Sequence, residues 1–297
     1  MIEAVLQRVS RIPLFVRWRV HQPYLGQQLS RRRGTGLEFD QISESQPGEA
    51  LRTINWAATA RRGGSALLMN RYAEDKNLTI MLLVDLSASM DFGTASRYKR
   101  TLAAEVGASL VYSALMSHDR VGLLGFTSQV DVYLPPRQAR GYLMAIPEAI
   151  LQGSAGKTTA NWAVATAALE TWVKRPALVF LVSDFLGIDP EQLLRPLARL
   201  GQRHDVVAIQ IVDTREVSLP AGNGTMAIRD LETGNVAVYA FSRKHQRLMA
   251  ARAQARQAQL HRLCHELRMP YVQVTPHSDY CHDIGQLFVE RQRRKTS

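Results

Sequence analysis

The sequence predicts an α/β protein built on a doubly wound, mainly parallel sheet. Two observations carry that prediction. Five apolar runs have the length and β-branched content of buried strands, and none alternates cleanly, as expected for strands covered on both faces. Helical stretches separate them, and strand–helix alternation implies right-handed crossovers onto one sheet.

The runs are Thr79–Asp85, Val121–Thr127, Ala177–Asp184, Asp205–Asp213 and Tyr271–Thr275. After the first, Arg97–Ser117 spaces Leu102, Val106 and Leu110 four apart, with Ala103, Ala104, Gly107 and Ala108 allowing close packing. Gly141–Gln152 looks helical and contains Pro147; Asn161–Val173 and Pro190–Arg203 are helical in the same manner. The longest helix, Arg243–Arg268, has Ser242 as its expected N-cap and Pro270 just beyond its end. Between Asp213 and Ser242 the pattern breaks into turn residues (Pro220, Gly222, Gly224, Gly234) around short β-like pieces, which predicts a small β insertion at about 214–242. Residues 1–78 lack this periodicity and are expected to form an N-terminal extension wrapping the core domain of residues 79–297.

Composition bounds the function. Apolar residues make up 46% of 297, enough for a substantial core. Two cysteines, Cys264 and Cys281, supply neither a disulfide framework nor a metal-binding repeat and are expected to be buried in a cytoplasmic protein. No apolar stretch approaches the roughly 20 residues of a spanning helix. The N-terminus is interrupted by Arg8, Arg11, Arg17 and Arg19, which makes it a poor secretory signal. The net charge of +11 is uneven: residues 1–35 carry seven arginines against Glu3 alone, residues 233–265 carry six Lys or Arg and no acid, and residues 291–297 add four. No aromatic-interleaved basic motif, zinc finger or recognition helix accompanies this charge. It is taken as a solvated face, or one that docks an acidic protein or membrane surface, rather than a nucleic-acid site.

The stretch LLVDLSASM places oxygen-bearing side chains at alternate positions where a core strand ends. In such a sheet, ligands sit beyond the carboxyl ends of the strands, and Asp85 and Asp184 each end one. Gly156-Lys157-Thr158-Thr159 before the acidic strand LVFLVSD suggests a phosphate loop. Position 151 is Leu rather than the required Gly, and the preceding segment reads as helix, so a nucleotide site is set aside. If the loops converge, Asp85, Ser87, Ser89, Thr158 and Asp184 offer five hard oxygens and neither sulfur nor imidazole. That set suits octahedral Mg²⁺ or Mn²⁺ at about 2.1 Å and argues against zinc. Two carboxylates and three neutral hydroxyls would balance a divalent ion and leave it electrophilic.

D-x-S-x-S with a later Thr and a later Asp on a doubly wound (Rossmann-type) sheet resembles the metal-ion-dependent adhesion site of von Willebrand factor A domains. GTGLEFDQISESQPGEALRTINWAATARRGG (34–64), LLVDLSASMDFG (82–93), FLVSDF (180–185) and VDTREVSLP (212–220) resemble the bacterial family called domain of unknown function 58. The resemblance implies a von Willebrand factor A-like fold, the five residues as metal ligands, and a MoxR-type AAA+ ATPase as partner. Lys157 and Thr159 stand where that family's pattern usually has Gly and Asp. Glu49-Ala50 and Asn55 depart from its N-terminal motif, while Arg52, Trp56 and Arg61 remain. Trp56 is expected to anchor the N-terminal segment in the core, Arg52 and Arg61 to serve as ion-pair or carbonyl ligands, and partner contact is the other role open to the three. Asp91 and Asp119 are expected to be solvated or local caps.

These readings favour a binding module over an enzyme: a partner's Asp or Glu would complete the metal's coordination, and coupling to the ATPase would make the chain an adaptor for client remodelling or maturation. The rival is a metal-dependent hydrolase, for which Glu49 or Asp91 would have to serve as base. A third reading is nucleic-acid binding through the basic ends. The Arg-punctuated RIPLFVRWRV could also rest on a membrane surface.

Overall fold

The computed structural model describes residues 38–44, 54–63, 67–73, 77–93, 98–153, 159–187, 189–213, 225–229, 236–240 and 243–287. These fall into two compact units, one ending at Asn77 and one beginning at Leu78.

In the first unit, β1 (Glu38–Glu44) pairs antiparallel with β2 (Leu68–Ala73), with a register shift between Phe39 and Gln41. A short helix, α1 (Trp56–Arg61), precedes β2; its N-cap Asn55 accepts the Ala58 N–H at 2.9 Å. Thr59 turns inward and its hydroxyl accepts the Leu68 N–H at 3.0 Å. Trp56 was expected in the core but is 66% exposed. A helix of fewer than two turns presents little to its own sheet, and here the inward position goes to Thr59. Arg61 is exposed in the last turn, and Arg52 lies outside the described residues.

The second unit runs β3 (Thr79–Asp85), α2 (Lys99–Met116), β4 (Arg120–Phe126), β5 (Val130–Arg137), α3 (Tyr142–Gln152), α4 (Trp162–Trp172), β6 (Leu178–Ser183), α5 (Pro190–Arg203), β7 (Asp205–Ile211), β8 (Thr225–Arg229), β9 (Val236–Ala240), α6 (Arg243–Glu266) and β10 (Tyr271–Val274). Six strands form one sheet in the order β10-β7-β6-β3-β4-β5, and every neighbour is parallel except the β4–β5 pair. The α/β class and the mainly parallel sheet follow the sequence expectation. The antiparallel edge strand β5 does not figure among the five predicted runs. It is only partly buried and carries Pro135 and Pro136, which cannot donate to a ladder and suit an edge. It packs tightly all the same: a Cβ on Gly122 would stand 2.7 Å from the Leu134 carbonyl oxygen. Strands β8 and β9 form a separate antiparallel hairpin within the expected insertion; the proposed cap Ser242 lies outside the described residues.

Both faces of the sheet are covered. On one, Met81, Leu83, Leu124, Phe126, Val179, Leu181 and Ala208 pack with Trp162 and Leu169 of α4, Leu193, Leu197 and Leu200 of α5, and Leu260 and Leu263 of α6. On the other, Gly107 of α2 lets that helix approach Leu82 and Ile150 of α3, which a Cβ would meet at 3.7 and 3.0 Å. Helix α2 is buried around most of its circumference, which is why its apolar residues show no narrow stripe. Cys264 and Cys281 are buried free thiols, raised to about 12 and about 11 first by burial. Among the described residues no helix is long and apolar enough to cross a membrane.

Candidate metal centre

Counted by the chain order of its own strands, the six-stranded sheet has its topological switch point between β3 and β6. From β3 the next strands in sequence lie on one side, and β6, β7 and β10 on the other. Crossover connections diverge there, and the carboxyl ends of the two strands border the crevice where such folds bind ligands. Asp85 closes β3, and Asp184 directly follows β6.

The parallel register Val84↔Val182 sets Asp85 beside Ser183, and the Ser183 hydroxyl donates to Asp85 Oδ2 at 2.7 Å. Asp85 Oδ1 accepts the Ser87 N–H at 2.8 Å, which turns the chain sharply out of the strand into a 3-10 turn over Ala88–Asp91. That turn brings the Ser87 and Ser89 hydroxyl oxygens to 3.1 Å from each other. Asp85, Ser87 and Ser89 are all buried. Burial first, and then the charge of Asp184, raise the Asp85 carboxyl from 3.8 to about 6, against the lowering effect of the bonds from Ser183 and Ser87.

Asp184 is 2% exposed and held at three points. Its Oδ1 accepts the Leu186 N–H at 2.9 Å, its carbonyl accepts Gln210 Nε2 at 3.1 Å, and its Oδ2 accepts the Lys99 ammonium at 2.6 Å. Next to it, Phe185 takes a positive φ of 53°, uncommon for a bulky residue. The Ser183 hydroxyl, 2.9 Å from the Phe185 N–H, and stacking on Trp162 at 5.2 Å between ring centroids hold that conformation.

The structure therefore brings Asp85, Ser87, Ser89 and Asp184 to one end of two adjacent strands. Thr158, with Lys157, and the alternative base Glu49 lie outside the described residues. Helix α4, which follows Thr158 in the sequence, starts at the same end of the sheet: the Asn161 N–H donates to the Thr127 carbonyl at 2.8 Å, just past β4. Asp91, expected as solvated or a local cap, is exposed but ion-pairs with Arg100, whose Nη2 also donates to the Leu86 and Ser87 carbonyls at 3.1 and 3.4 Å. Asp119 is 5% exposed rather than solvated, and it accepts the Leu78 N–H at 2.7 Å where β3 begins.

Sequence reasoning missed Ser183, Lys99 and Arg100. The usable signal was two basic residues in the first turn of a buried helix. A cation is unfavourable at that end of the dipole unless carboxylates face it. Asp213, beyond the end of β7, is a further fully buried carboxylate at this edge of the sheet.

Two cis ligands of an octahedral ion with bonds of about 2.1 Å stand ~3.0 Å apart. The Ser87 and Ser89 hydroxyls, hydrogen-bonded to each other at 3.1 Å, are close enough to serve as such a pair, and the donors are all oxygen. Among the described residues no three His, Cys, Asp or Glu side chains cluster to hold a metal, so an ion here would depend on the hydroxyls as well as the two carboxylates. The donor chemistry fits a magnesium-sized cation. The charge differs from expectation, because Lys99 places an ammonium on Asp184.

The chain is 31% identical over 271 residues to an uncharacterized protein of Mycobacterium tuberculosis and to one of Mycobacterium bovis, covering 90% of this chain and 84% of each relative. Among solved structures it is similar to the conserved hypothetical protein BatB from Bacteroides thetaiotaomicron (14% identity, TM-score 0.47, 73% of this chain and 99% of that one). It is also similar to the SpRpn10 VWA domain (11% identity, TM-score 0.41, 72% and 94%). The family model described as protein of unknown function DUF58 matches residues 41–260, most of the chain and all but the last strand of the sheet that carries this site, and the chain belongs to that family.

Proposed function

We propose that this protein is an interaction module whose switch-point site holds Mg²⁺ or Mn²⁺ and receives an acidic side chain from a partner. The observation that carries the reading is the convergence of Asp85, Ser87, Ser89 and Asp184 at the carboxyl ends of β3 and β6, with the two hydroxyls 3.1 Å apart in a mutual hydrogen bond. Ser87 and Ser89 would be ligands, with Asp85 and Asp184 supplying the balancing charge and Thr158 a further hydroxyl. When bound, the cation supplies an electrophilic position that a carboxylate can fill. The chain's own part is rigidity: Ser183, Ser87 N–H, Leu186 N–H and Gln210 fix the two aspartates, so the donors are organised before any partner arrives. A charge-assisted contact of this kind is geometrically exacting and makes one partner residue decisive.

The family resemblance makes a MoxR-type AAA+ ATPase the partner to test first, with the chain as an adaptor presenting client proteins. Against the hydrolase reading stands the engagement of Asp91, one of its two candidate bases, by Arg100. The test is a pull-down of such an ATPase or its client with Mg²⁺, with EDTA, and with Asp85→Ala. Binding should require the ion and be lost at least tenfold in the variant; undiminished binding in all three would remove the cation from the function.

A further inference from the structure

Lys99 is the first residue of α2, and its side chain runs into the protein rather than out of it. The ammonium is 1% exposed, 2.6 Å from Asp184 Oδ2, and 5.6 Å from the centroid of the Phe92 ring. Its backbone N–H is fixed to the Phe92 carbonyl at 2.9 Å, so the residue is anchored to the loop that leaves Ser89. Burying a lysine costs its hydration, and the helix N-terminus repels it; the facing Asp184 carboxylate offsets both.

We propose that Lys99 is a tethered competitor of the divalent cation, holding Asp184 while the site lacks the ion and releasing it when the ion binds. The proposal rests on the cation reading above. Two features lead to it. Asp184 has one carboxylate oxygen on the Leu186 N–H and the other on Lys99, so an ion drawing on this carboxylate meets a cation already bound to it. The two aspartates and the ammonium together carry one net negative charge. A dication entering beside the unmoved ammonium would be repelled by it, in surroundings where such interactions are far stronger than in water. Ion binding is thereby coupled to displacement of the Lys99 head group from Asp184 and Phe92, and Lys99 sets the ion concentration at which the module becomes competent.

The experiment measures Mn²⁺ binding to the full chain by electron paramagnetic resonance at fixed ionic strength, for the wild type, Lys99→Met and Lys99→Arg. Lys99→Met keeps the apolar stem and is expected to tighten binding at least tenfold; Lys99→Arg keeps the charge and should stay within about threefold of the wild type. Equal or weaker binding in Lys99→Met, or equal tightening in both variants, overturns the proposal while leaving the cation reading intact. Saturable binding in neither the wild type nor Lys99→Met removes the cation reading and this inference with it. Should Lys99→Met not fold, ¹⁵N-lysine-labelled wild type decides: the buried ammonium resonance should shift or vanish on saturation with Mg²⁺, and a resonance unmoved at saturation overturns the proposal.

Discussion

Arg100 is 6% exposed and braces the loop after β3, yet its Nη1 finds no hydrogen-bond partner among the described residues. Gly153 explains how the guanidinium fits: it ends α3 with φ +28°, and a Cβ there would collide with Arg100. Gly153→Ala is therefore expected to cost about 2 kcal/mol or more in urea denaturation, through both the clash and the backbone. Gly141→Ala is the internal control, since its Cβ would meet open space; a change within about 0.5 kcal/mol is expected there. At Asp85 the sign reverses. Its carboxylate is buried against Asp184, and Asp85→Asn keeps an oxygen for the Ser87 N–H while removing the charge. Stability in EDTA at pH 7 should hold or rise by about 1 kcal/mol, and saturable Mn²⁺ binding should disappear. A variant that lost both would make Asp85 structural rather than ion-holding.

Among the elements, α4 begins four residues after Thr158 in the sequence. Asn161 caps it, accepting the Val164 N–H at 3.2 Å, while its own N–H is fixed to Thr127 at 2.8 Å. The next residue, Trp162, packs edge-on to Phe126 of β4 at 5.0 Å and flat on Phe185 beyond β6, so the helix start is held by a strand end and by the residue that follows Asp184. Asn161→Ala is expected to cost about 1 kcal/mol in thermal or urea unfolding from the lost cap. It should also weaken Mn²⁺ binding if the ligand set includes Thr158, because the cap holds the helix end that follows Thr158 in the sequence; unchanged binding would place Thr158 outside the ligand set. Strand β5 answers a different requirement. Antiparallel to β4 and bearing two prolines, it closes the sheet with an edge that cannot readily recruit another strand.

For the whole molecule, two buried groups pull stability in opposite directions with pH. His204 is 4% exposed, neither ring nitrogen has a partner among the described residues, and burial followed by the charge of Arg203 lowers it from 6.5 to about 4. A folded value below the unfolded one means that its contribution is intact above pH 6.5 and is lost as pH falls toward 4. Asp85, raised from 3.8 to about 6, does the reverse: its burial weakens the fold above about pH 6, and protonation relieves that between pH 6 and 4. His204→Gln should consequently shrink the fall in Tm between pH 6.5 and 4 measured in EDTA; an unaltered acid limb would show that His204 is hydrated in solution.

Local sequence determined the parallel strands and most helix limits, because a strand buried on both faces must be a short apolar run and a helix end must satisfy its own amides. Thr79–Asp85 and Pro190–Arg203 form over the residues expected. It also marked Asp85 and Asp184, since a carboxylate ending a core strand stands out in any apolar run. Tertiary structure alone decided the rest. The strand order sets β3 beside β6 and so places Ser183 on Asp85, across 98 residues. The packing of α2 turns Lys99 inward onto Asp184, across 85 residues. Tertiary structure also left Trp56 exposed and buried Asp119 at the start of β3. Spacing along a chain encodes periodic burial; which charges meet depends on which strands become neighbours, and that is settled by the packing of the whole sheet.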